Sequence, residues 1–106
     1  MKVENIKYCK EGIYIGRRNG QLAVSPLANK FKIDRHTTRM QAISLYKRWL
    51  WEQMQIDTPA LRELLRIKQL NEVSNVTLLC WCKPLPCHGD VIISAIDWLS
   101  NKQDID

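Results

Sequence analysis

The chain has 106 residues, 45% of them hydrophobic, with four Trp, four Cys and a formal net charge of +5. That length fits one domain, residues 1–106, with a small but real core, and argues against a second domain. No apolar run approaches the roughly 20 residues of a bilayer span, and Met1 to Asn5 has no signal-peptide core, so a cytoplasmic location without a membrane partner is expected.

The charge is uneven. Residues 1–48 carry eleven Lys or Arg against three Asp or Glu, whereas residues 49–106 carry five against eight. A basic first half favours an anionic partner such as a nucleotide, a nucleic acid or an acidic protein surface, although the same charges are also compatible with an ordinary solvated face. Cys80 and Cys82 stand too close in an extended strand to pair with each other, and nothing points to secretion. Reduced thiols or thiolate ligands are therefore expected.

Residues 1–11 read as a short strand or irregular lead-in, with Cys9 as a small half-buried hydrophobe. Gly12 to Gly16 encloses the run Ile13-Tyr14-Ile15, a strand signature that delivers Arg17 and Arg18 to a sheet rim, where a guanidinium fork suits phosphate or carboxylate. Asn19-Gly20 then predicts a hairpin joining Ile13-Tyr14-Ile15 to Leu22-Ala23-Val24. Ser25 to Phe31 is loop, and its Asn29 is either a turn former or a ligand-facing amide. His36 is flanked by polar residues and expected on the surface.

Thr38 and Gln41 make a capping box, and Met40, Ile43, Tyr46, Leu50 and Met54 follow at helical spacing, predicting a helix over 38–54. Arg39 falls in its first turn, where a cation faces the positive end of the helix dipole unless an anion is held there. Trp49 and Trp51 cannot share one face. Thr58-Pro59 caps a second helix over 59–70. Val76 to Leu79 predicts a buried strand, Lys83-Pro84-Leu85-Pro86 a stiff turn, and Val91, Ile92, Ala95, Ile96 and Leu99 a third helix over 88–100, with a frayed tail at 101–106. The fold class is thus α/β, with a short central sheet and about three flanking helices.

The stretch from Leu78 to Asp90 concentrates the reactive side chains: Cys80, Cys82, Cys87 and His88. Cys80 and Cys82 are placed at the carboxyl end of a strand and Cys87-His88 at the amino end of the next helix, where open α/β sheets hold ligands. Three chemistries fit. Three thiolates and an imidazole form a tetrahedral zinc set, making zinc a candidate cofactor, although the Cys-x-Cys and adjacent Cys-His spacings suit one ion poorly. Alternatively, Cys87 at a helix start beside His88 is a nucleophilic or redox thiol, with His88 as proton-transfer partner, Asp90 orienting His88 or capping the first turn, and Arg17 and Arg39 holding an anionic substrate. The third reading is plain packing of the cysteines with a helix cap at His88-Gly89-Asp90.

Taken in order, Tyr14-Ile15-Gly16-Arg17, Ser25-Pro26-Leu27-Ala28-Asn29-Lys30-Phe31, the helix from Arg39 to Leu50 and the block from Cys80 to Asp90 resemble the signature of a small bacterial and bacteriophage family catalogued as a domain of unknown function. The resemblance covers most of the chain and is most specific in the last block; the family usually has Asn-Pro-Phe where this chain has Asn29-Lys30-Phe31. It implies one intracellular domain, in the host cytoplasm if the source is viral. It also implies that Arg17, Asn29, Arg39, Cys80, Cys82, Cys87, His88 and Asp90 belong to one site. The leading expectation is that a phosphate-bearing ligand, a nucleotide or nucleic-acid end, is bound in a Cys/His/Arg cleft, with its chemical processing there left open. The alternative is a zinc-stabilised interaction module that binds a host protein or nucleic acid.

Overall fold

The structure, a computed structural model, describes residues 1–105, with side chains through Asn101. Its elements run β1 (Lys2–Asn5), β2 (Ile13–Tyr14), α1 (Arg39–Gln53), α2 (Pro59–Val73), β3 (Thr77–Cys80) and α3 (His88–Ile105). The three strands form one parallel sheet in the order β1-β3-β2, and with the three helices they make an α/β domain. Leu78, Leu79 and Cys80 are all buried, the uninterrupted apolar pattern of a central parallel strand. The ladder runs past the strand ends. Ile6 N donates to Cys80 O at 2.8 Å and Ile15 N to Leu79 O at 3.1 Å.

The predicted hairpin does not form as a strand pair. Asn19 and Leu22 exchange backbone hydrogen bonds of 2.9 and 3.0 Å, and Gly20 adopts φ +58°, so the Asn-Gly turn is present. Its return limb is not a strand, and β2 pairs with β3 instead. Ile15 is completely buried while Val24 on the return limb is exposed, and the limb rejoins the end of β2 through Ser25 N donating to Gly16 O at 3.0 Å.

The helices arise where their caps predict. Thr38 Oγ1 accepts from Gln41 N at 3.1 Å, and Gln41 Oε1 accepts from Thr38 N at 2.8 Å. Thr58 Oγ1 accepts from Leu61 N at 3.1 Å and donates to Gln53 O at 2.9 Å, tying the end of α1 to the start of α2. Asn71 Oδ1 accepts from Val76 N at 2.9 Å and so turns α2 into β3. Tyr46 and Leu50 of α1, Leu64 and Ile67 of α2, and Ile92 and Ile96 of α3 meet in one core with Leu78. Tyr46 is fully buried, and its hydroxyl donates to Leu27 O at 2.6 Å, fixing the 25–31 loop to that core.

Helix α3 begins against the sheet through Gly89. A Cβ there would lie 2.9 Å from both methyls of Val3 and 3.0 Å from Ile15 Cδ1. The backbone remains helical to Ile105, past the end expected near Ser100, because 101–105 contains no proline or glycine to stop it. The side chains of 102–106 in the expected frayed tail lie outside the described residues. No described helix is long and apolar enough to cross a membrane.

Candidate functional site

Beyond the carboxyl ends of β2 and β3 lies a cleft of about 430 Å³, closed on its other sides by the 29–33 loop, the first turn of α1 and the start of α3. Open parallel sheets bind ligands in this position. Arg17, Arg18, Lys32 and Arg39 line it, and among the described residues no Asp or Glu does. Tyr14, Phe31 and Trp81 supply its aromatic surface, while Cys80, Cys82, Cys87 and His88 also line it.

Two of these cations are held by the backbone. Arg17 Nε donates to Asn29 O at 2.7 Å, and Arg39 Nη1 donates to Pro86 O at 3.1 Å. Neither of these hydrogen bonds neutralises its guanidinium. Asn29 turns its own amide inward to the chain, with Oδ1 accepting from Phe31 N at 2.8 Å. It serves as the turn former that sequence left open, while still lining the cleft.

Cys80 and Cys87 form a buried pair, with Cys87 Sγ–H directed at Cys80 Sγ across 3.7 Å. That hydrogen bond from Cys87, aided by the backbone N–H groups of Lys83 and Cys82 and by the Lys83 charge, lowers the Cys80 thiol to about 6 against the resistance of burial. Cys87 moves the opposite way, because it must give up the hydrogen it shares with Cys80 and because it is buried. The sequence had pointed to Cys87 as the thiol made acidic by the helix start. Gly89 N does donate to Cys87 Sγ at 3.3 Å, yet the pair puts the anionic character on Cys80.

His88 is buried, and its Nε2 lies 2.7 Å from Ile15 O. A carbonyl can only accept, so Nε2 carries the hydrogen and Nδ1 is the lone-pair nitrogen. The ring packs edge-on against Tyr46, with centroids 5.0 Å apart. Burial holds its pKa below the ordinary histidine value despite the Ile15 carbonyl. His88 is thus a neutral imidazole whose Nε2 bond goes to β2's end and not to a thiol.

Asp90 does not line the cleft. Its carboxylate accepts from Lys83 Nζ at 2.8 and 3.1 Å and from Cys87 N at 3.2 Å, capping the first turn of α3 and bracing the proline turn. Among the described residues, no group of three or more His, Cys, Asp or Glu side chains is arranged to hold a metal ion. All four cysteines are free thiols.

Several contributors escaped sequence reasoning. Trp81 Nε1 donates to Tyr14 Oη at 3.0 Å, and Tyr14 Oη in turn donates to Arg17 O, so the aromatic wall is one hydrogen-bonded unit. Alternation across the Cys-Trp-Cys run would have sent Trp81 to the face opposite Cys80 and Cys82, but β3 ends at Cys80 and all three residues line the cleft. Asn5 gave none: its Nδ2 donates to Lys83 O at 2.9 Å and to Trp81 O at 3.2 Å, fastening β1 to the cysteine turn.

The model of a family described as Domain of unknown function (DUF4326) matches residues 1–98. No curated protein and no solved structure matches the chain.

Proposed function

We propose, on the premise that this chain belongs to the DUF4326 family, that its cleft binds a phosphate-bearing ligand, a nucleotide or a nucleic-acid end, and holds it over the thiol pair. One observation carries the reading: four cationic side chains and no described carboxylate surround a cavity of about 430 Å³. Arg17 and Arg39 are bound only to carbonyls in this structure, which keeps their charge available to an anion. Trp81, Tyr14 and Phe31 offer faces on which a base stacks, an interaction worth about 1–3 kcal/mol per base. Any processing of the ligand falls to the thiols lining the cleft, with Cys80 as the more readily ionised member.

The test is calorimetric titration of the full chain with a nucleoside monophosphate and with the matching unphosphorylated nucleoside. The monophosphate should bind more tightly, and Arg17→Ala and Arg39→Ala should each weaken it about tenfold, equivalent to about 1.4 kcal/mol. Affinity should fall as salt rises. Equal affinity for nucleoside and monophosphate, or indifference to both arginine substitutions, would reject a phosphate site.

A further inference from the structure

We infer that Cys80 and Cys87 form a two-electron dithiol couple that reduces a small anionic disulfide admitted by the cation-lined cleft. The inference goes beyond ligand binding and does not require the ligand to carry phosphate. Its basis is placement. Two free thiols from different elements, the last residue of β3 and the residue before α3, approach to 3.7 Å. Both line the cleft, which carries Arg17, Arg18, Lys32 and Arg39. Among the described residues the sulfur–sulfur hydrogen bond joins Cys80 with Cys87 and does not include Cys82. A buried thiol pair used only for packing has no need of an entrance ringed by cations.

The chemistry closes without any other reactant. The Cys80 thiolate forms a bond to one sulfur of the incoming disulfide, whose S–S bond breaks and whose second sulfur leaves as a thiolate. Cys87 gives its proton to that leaving thiolate, and its sulfur attacks Cys80 Sγ. The mixed disulfide breaks, a Cys80–Cys87 disulfide forms, and the remaining substrate half departs as a thiolate bearing the charge Cys80 began with. The protein dithiol is oxidised by two electrons and the substrate disulfide is reduced by two. Charge complementarity sets the substrate class, since four cations draw an anionic disulfide toward the thiols and repel a cationic one.

The probes are glutathione disulfide, which is anionic, and cystamine, which is cationic, added to the reduced full chain at equal concentration. After acid quench and alkylation, intact mass should show loss of two of the four alkylatable thiols, with peptide mapping placing the new bond between Cys80 and Cys87. The anionic probe should react roughly tenfold or more faster than the cationic one, and Arg39→Ala should narrow that ratio. Cys87→Ser should stop at a glutathione adduct on Cys80. Four alkylatable thiols after exposure, or a bond from Cys80 to Cys82 or Cys9, overturns the couple. Equal rates for the two probes overturn the anionic substrate. Wild-type protein alone decides these points, so a poorly folding variant does not rescue the idea. Because the readout is mass and the phosphate test is calorimetric, either proposal can fail without the other.

Discussion

His88 illustrates how one side chain links the site to stability. It is buried with its Nε2 on Ile15 O, and burial lowers its pKa from the ordinary value of about 6.5. The unfolded chain therefore binds a proton that the folded chain refuses, and stability falls as pH drops below about 6.5. Cys80, lowered to about 6, acts in the same direction over a higher window. It contributes fully above about 8.5, the ordinary thiol value, and loses that contribution as pH falls through its folded pKa. The expected outcome is a Tm lower at pH 5 than at pH 7, with His88→Gln flattening the part of the slope below 6.5. Parallel slopes in the two proteins would show that the imidazole is not the titrating group. The residues of this site were legible to different degrees. Arg17, Arg39, Cys80, Cys82, Cys87 and His88 stand out by type and spacing and meet in one cleft. Asp90 also stands out, but its partners are Lys83 and the Cys87 amide. Which thiol is the more acidic was not legible, because it depends chiefly on which sulfur of the pair donates to the other.

At the scale of elements, local rules succeeded where the signal is local. The capping box at Thr38, the proline start after Thr58 and the buried β3 run each specify structure within a few residues. They failed for β2. Asn19-Gly20 makes its turn, but Ala23 and Val24 stay exposed and the return limb forms no strand on the outer edge of β2. Gly89 is an element-scale requirement, since α3 can approach β1 only where no Cβ intervenes. Gly89→Ala should destabilise the fold by about 1–3 kcal/mol, the usual cost of overpacking a filled interface. Urea unfolding measures it. A change below about 0.5 kcal/mol would mean that α3 rises off Val3 and Ile15 at little cost.

Across the whole molecule, the basic bias of the first half becomes a location. Arg17, Arg18, Lys32 and Arg39 all come from residues 1–48 and surround one opening, while the thiols at that opening come from the second half. The site is complete only when both halves are docked. The strand order has a further consequence, and it concerns synthesis from the amino terminus. Strands β1 and β2 flank β3 on either side and have no contact through each other, so their backbone groups wait, unpaired in any sheet, until residues 77–80 emerge. During translation the helical segments α1 and α2 can form first, because their hydrogen bonds are local, whereas the sheet cannot pair before its central strand emerges. A chain stopped at residue 75 should show helical circular dichroism without a cooperative melt. Supplying a peptide of residues 76–106 in trans should restore the melt, and failure to do so would mean that the continuous chain is needed to bring β3 between its neighbours.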